Sequence, residues 1–179
     1  MAVLILLLVS SVIAAGIPAA TSAYKNAVDG ANARTLLSTT VDALRSELST
    51  AWDVKVGTNE IYYYSARTGA KTRLYNDSGT IKVQDYVRYD DNSTAQINPS
   101  DSNPVAPRDL VSEAMRIKTK NSSEKFNLAF TSTPPAAGAE PELITLTTVS
   151  VKNGTVDYVS LSPLTIRLID SNLRVPELP

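Results

Sequence analysis

The side chains that do most protein chemistry are missing from this sequence: its 179 residues include no Cys and no His. That removes Cys nucleophiles, His general bases, the usual zinc ligands and disulfides together. Carboxylates, hydroxyls, amines and phenols remain. The densest carboxylates are Asp85, Asp90, Asp91 and Asp101. A hard cation such as calcium takes oxygen ligands of that kind. No run here has EF-hand spacing, so solvated loop acids are the expected reading, with no metal site and no cofactor assigned. Tyr62, Tyr63, Tyr64, Tyr75, Tyr86 and Tyr89 could stack on sugars or bases. Tyrosines in strands are far more often half-buried packing residues, and packing is the expectation here. Asn76, Asn92, Asn121 and Asn153 head Asn-x-Ser/Thr triplets, to which no role is assigned. No Gly-rich phosphate loop, nucleophile elbow or Ser/Lys dyad spacing is present, so no enzymatic activity is expected. With 17 Lys+Arg against 18 Asp+Glu the net charge is −1, leaving no basic field to attract nucleic acid.

The informative pattern is in the elements rather than in any reactive cluster. Residues 1–24 carry no charge, and Lys25 is the first. At 1.5 Å per residue that run spans about 36 Å, enough for a hydrocarbon core of about 30 Å. Thr21-Ser22-Ala23 reads like a small-residue signal cleavage site, but no Lys or Arg precedes the apolar run, and the run is longer than a usual signal core. Ala33, Leu37, Val41, Leu44, Leu48 and Trp52 then recur at steps of three and four, one face of a helix, with Arg34, Asp42, Arg45 and Glu47 off that stripe. No turn cluster separates the two patterns. One helix from about residue 2 to residue 53 is expected, apolar all round in its first half and on one side in its second. Gly16 and Pro18 mark a kink, because Pro18 lacks an N–H and crowds the preceding turn.

From Val54 the period changes to two. Residues 60–65 and 71–75 flank Arg67-Thr68-Gly69, a hairpin signal, and Asn76-Asp77-Ser78-Gly79 is the next turn. Strands are expected over 80–89, 125–132, 143–152, 155–161 and 164–169, about seven in all, with Asn153-Gly154 as a two-residue hairpin loop. A short helix is expected over 108–118, started by Pro107. Residues 90–107 and 133–141 read as loops. The expected fold class is α+β: a long N-terminal helix laid on an antiparallel β-sheet through Leu37, Val41, Leu44, Leu48 and Trp52. Residues 1–23 form the membrane half of the helix, 24–53 its amphipathic half and 54–179 the β-rich head.

An apolar stretch, a Gly/Pro pair, an amphipathic continuation and then a β-rich domain resembles the order found in type IV pilins and type II secretion pseudopilins. Ala14-Ala15-Gly16-Ile17-Pro18-Ala19-Ala20 and Ala31-Asn32-Ala33-Arg34-Thr35-Leu36-Leu37-Ser38-Thr39-Thr40 are similar to the pilin-like proteins of Gram-positive, clostridia-type bacteria. So are Val149-Ser150-Val151-Lys152 and the segment Leu164-Thr165-Ile166-Arg167-Leu168-Ile169. The resemblance implies a structural subunit, a minor pilin or pseudopilin, held singly in the cell membrane with its head outside and then packed into a filament with other subunits. It also implies a non-helical region near Gly16 and Pro18, and a short basic leader ending in Gly before a Thr-Leu-x-Glu run. On that alignment Met1 falls inside the mature helix, and a prepilin peptidase is a partner where an upstream leader exists. The alternative expectation, from a different class, is a secreted or tethered β-rich binding module cleaved after Ala23.

Overall fold

The computed structural model describes residues 2–86, 105–118, 123–135 and 143–168. A single α-helix, α1 (Ala2–Leu48), is followed by antiparallel β-structure, so the class is α+β. Five strands form the first sheet in sequential order: β1 (Trp52–Val56), β2 (Glu60–Tyr64), β3 (Lys71–Asp77), β4 (Thr80–Tyr86) and β5 (Arg108–Asp109). The second sheet is built on β7 (Leu143–Asn153), with β6 (Asn127–Ser132) along one side. On its other side β8 (Val156–Leu161) and β9 (Leu164–Arg167) pair with successive halves of the long strand.

Alternation builds both sheets. Ile61 and Tyr63, Thr72 and Leu74, and Ile81 and Val83 point inward from the first sheet. The second contributes Leu128 and Phe130 from β6, Leu164 and Ile166 from β9, and four residues of β7. In β7 the buried pairs are Ile144/Leu146 and Val149/Val151, out of phase by one residue. The register shift opposite Thr131 and Ser132 supplies the extra residue and returns the apolar side chains to the same face. Both inner faces and the C-terminal half of α1 share one apolar core. The helix lies chiefly on β7 and β8. The sheets are also tied where the end of β3 meets β6: the Asn76 side chain donates to Phe130 O at 2.7 Å and accepts from Phe130 N–H at 3.1 Å.

Several expectations change in detail. The helix ends at Leu48 rather than near Asp53: Ser49 N–H reaches Arg45 O at 2.9 Å, Ala51 N–H bonds Leu48 O at 3.1 Å, and the chain turns into β1. Trp52 therefore belongs to a strand, where a bulge with Asp53 at φ 48 sets it outward, stacked on Tyr64 at 4.2 Å. No α-helix forms over 108–118; the segment holds β5 and a 3-10 turn, Glu113–Arg116. The β3–β4 turn has Ser78 at φ 49 and Gly79 at φ 76, the two left-handed residues of a type I′ turn. The β7–β8 loop is Gly154-Thr155 rather than Asn153-Gly154, because Asn153 pairs with Val156 and only Gly154 is left-handed, at φ 64. Asp90, Asp91, Asp101 and Tyr89 lie outside the described residues.

Candidate functional site

The surface that the fold leaves unexplained is the N-terminal half of α1. Its large apolar side chains are exposed, from 51% at Val9 to 70% at Val3, and this helix is long and apolar enough to cross a membrane. A soluble helix shows an apolar stripe to its own core and polar residues elsewhere. Here Leu4, Ile5, Leu6 and Leu7 are successive residues, so they point in every direction and no single neighbouring element could cover them.

The same helix becomes one-sided where it meets the head. Tyr158 Oη donates to Asn26 O at 3.3 Å, and Asn32 Nδ2 donates to Lys118 O at 2.9 Å. Beyond these contacts Ala33, Leu36, Thr40, Val41, Leu44 and Leu48 are buried in turn. Of the residues expected to join helix to head, Val41, Leu44 and Leu48 are buried in the shared core. Leu37 packs at its margin, Leu36 takes the deeper place beside it, and Trp52 sits outside on the first sheet. Asp29 stands at the junction, buried, with Oδ1 lacking a hydrogen-bond partner among the described residues.

Gly16 and Pro18 lie inside the uninterrupted helix. The helical geometry continues through a position where Ala14 O can receive no N–H from Pro18. Just beyond, Thr21 Oγ1 donates to Ile17 O at 2.9 Å, the kind of side-chain bond that steadies a helix around a proline. The non-helical stretch implied by resemblance is absent from this single chain.

A second feature of the helix surface escapes a search for apolar periodicity. Ser11, Ala15, Ala19, Ala23, Ala27 and Ala31 follow one another at steps of four, all exposed. They form an inclined ridge without bulk, along which a second helix can approach closely. Counting small residues at a spacing of four would have found it; a count of large apolar residues passes over it.

The remaining candidates are internally satisfied. Glu47, in the last turn of α1, accepts from Tyr63 Oη at 3.0 Å and lies 3.5 Å from both Arg67 and Arg108. Burial, reinforced by the Glu47 carboxylate, pushes the Tyr63 phenol far above its usual range. On the outer face of the first sheet Arg73 is bound to Glu60 at 2.7 Å and covers the Tyr75 ring at 4.4 Å. Tyr62 donates to Glu60 at 3.1 Å, and burial is the main cause that pushes its phenol up to about 12. Tyr64 is packed between Trp52 and Lys71. These ring faces are occupied by the protein itself. Asp85 accepts from Thr72 Oγ1 at 2.8 Å, and no group of three acidic side chains converges among the described residues.

No family model, curated protein or solved structure matches this chain.

Proposed function

We propose that this chain is a pilin-like structural subunit, a minor pilin or pseudopilin of a type IV pilus or type II secretion-like filament. The observation that carries the reading is one continuous helix whose first half is apolar and uncovered while its second half is clamped by the head. Such an object has two environments available to its free half, lipid before assembly and sister helices after it. The small-residue ridge from Ser11 to Ala31 supports close helix–helix packing as the means of assembly. The work of the protein is then non-covalent: the helix is the polymer core and the head faces outward from the cell, with no reaction catalysed. Other pilin subunits are the partners, and a prepilin peptidase is one where a leader precedes the mature helix.

Cysteine scanning tests this directly, because the chain has none of its own. Ala19→Cys and Ala23→Cys should give dimers and higher ladders on oxidation in the native membrane, and Ile17→Cys, on the opposite side of the helix, should give fewer. Monomer at all three positions would refute assembly through the helix. The mature N-terminus decides the alternative. Because the buried stripe begins only at Asp29, a head starting at Tyr24 would keep its core. A native protein beginning at Tyr24 would replace the filament reading with that of a cleaved binding module.

A further inference from the structure

An amine, an amide and a carboxylate meet at the end of the second sheet, beside the helix. Lys118 is only 6% exposed. Its Nζ donates to Asn153 Oδ1 at 2.5 Å and to Glu124 Oε2 at 3.2 Å, 5.8 Å from the centre of the buried Phe126 ring. The group is held from several directions. Lys118 N–H donates to Glu124 O at 3.1 Å, and Lys118 O accepts from Asn32 of the helix at 2.9 Å. Asn153 is fixed as the last paired residue of β7.

We propose that Lys118 and Asn153 join in an intramolecular isopeptide bond, with Glu124 as the proton carrier. The target carbon, Asn153 Cγ, lies one carbonyl bond, about 1.2 Å, from the oxygen that Nζ already touches. Glu124 Oε2, 3.2 Å from Nζ, is the acceptor within reach of a proton from Lys118. Glu124 takes one proton from the Lys118 ammonium, and the freed amine pair attacks Cγ. The tetrahedral centre collapses as Glu124 returns that proton to the departing amide nitrogen, and the second proton that Nζ must lose to become an amide passes by the same carboxylate to the leaving ammonia. The Nζ–Cγ bond forms, the Cγ–Nδ2 bond breaks, and ammonium leaves carrying the lysine's charge. No oxidant, reductant or other reactant is needed. Fixed positioning of reacting groups is worth large factors in rate, and both partners here are held by the backbone around them. The linkage would close a loop spanning 35 residues in a chain that has no cysteine to do so. It would also tie the connection between the sheets, which Asn32 holds to the helix, to the long central strand.

Intact-mass measurement of the purified full chain in detergent tests this. The wild type should weigh one ammonia less than its sequence, and a proteolytic digest should contain one peptide joining Lys118 to Asn153. Lys118→Arg and Asn153→Ala should each show the full sequence mass. Glu124→Gln should fold, with an unchanged circular dichroism spectrum, and also keep its full mass. A wild type at full sequence mass after prolonged incubation would overturn the proposal. So would an ammonia loss that persists in Lys118→Arg, since a succinimide at Asn153-Gly154 produces the same mass change without lysine. Deamidation raises the mass instead and would count against the bond. Should a variant fail to fold, the joined peptide from the wild type still decides.

Discussion

Replacing Leu44 tests the join between helix and head most sharply. Leu44 is 0% exposed and lies in the core shared by both sheets. Leu44→Ala removes buried apolar volume that the surrounding strands cannot refill, at a cost of about 2–5 kcal/mol. With a urea slope of about 2 kcal/mol/M, a loss of about 3 kcal/mol lowers the unfolding midpoint by about 1.5 M. Leu44→Asp adds the desolvation of a carboxylate and should leave no folded head, since total stabilities are only about 5–15 kcal/mol. The assay is built in: Trp52 is the one tryptophan, stacked on Tyr64 at 4.2 Å, so its fluorescence reports the head. Leu6→Ala is the control, since Leu6 is exposed on the free half of the helix and its loss should leave the head's midpoint where it was. A Leu44→Ala midpoint within about 0.3 M of the wild type would refute the claim that the helix stripe completes the core.

Gly79→Ala should cost more than the roughly 1 kcal/mol of an ordinary left-handed site, because its φ is 76 and an added Cβ, 2.4 Å from Oδ1, would force the Asn127 side chain to turn aside. Gly69→Ala, at φ 65 with nothing within 4 Å, should show only the smaller loss in the same urea titration. Asn76→Ala removes both hydrogen bonds to Phe130 and should destabilise by about 2–4 kcal/mol, read from the Trp52 transition. Tyr63 sets an alkaline limit. Its folded phenol is raised above the unfolded value, so the folded state keeps a proton that the unfolded chain loses above about pH 10. Stability is intact below that pH, and Tyr63 should take away about 1.4 kcal/mol for each further pH unit, a contribution that Tyr63→Phe removes in pH-dependent urea melts while the smaller one from Tyr62, raised to about 12, remains.

What was legible beforehand was whatever depends on period. The apolar run and the stripe through Val41, Leu44 and Leu48 announced the helix, and alternation announced most strands. Misreadings fell where two periods agree or where a bulge intervenes. Trp52 follows Leu48 by four residues and so continued a helical pattern, although Ser49 and Thr50 break the helix and Trp52, Val54 and Val56 already alternate as a strand. The division into two sheets was not legible, because it depends on long-range pairing, with β8 and β9 sharing one side of β7. The Lys118–Glu124–Asn153 group was hidden for the same reason: its members are ordinary polar residues until the β6–β7 pairing brings them together. The small-residue ridge was present in the sequence but lay outside a search for bulk.

The length of the free helix bears on what that ridge is for. Residues 2–28 rise about 40 Å, some 10 Å more than a hydrocarbon core. In a bilayer Lys25, the first charged residue here, would sit with Tyr24 at the headgroups, where such side chains anchor, and the uncharged residues before them would lie toward the core. The head, which engages the helix from Asn26 onward, would then rest against the membrane surface with little spacer. Ala23, Ala27 and Ala31 would lie at or above that surface, where lipid cannot cover them, and their continuation of the ridge from Ala15 and Ala19 has no use for a solitary tether. It has one if the helix is withdrawn from lipid into a bundle, where the whole inclined row meets a neighbour and the bulkier Leu and Ile side chains fill the spaces beside it. Lengthening alanines on the two sides of the surface therefore separates the readings. Ala27→Leu should leave membrane insertion untouched while reducing cross-linking through Ala23→Cys several-fold. A tether would be indifferent to it, and unchanged cross-linking would show that the upper part of the ridge is not a contact.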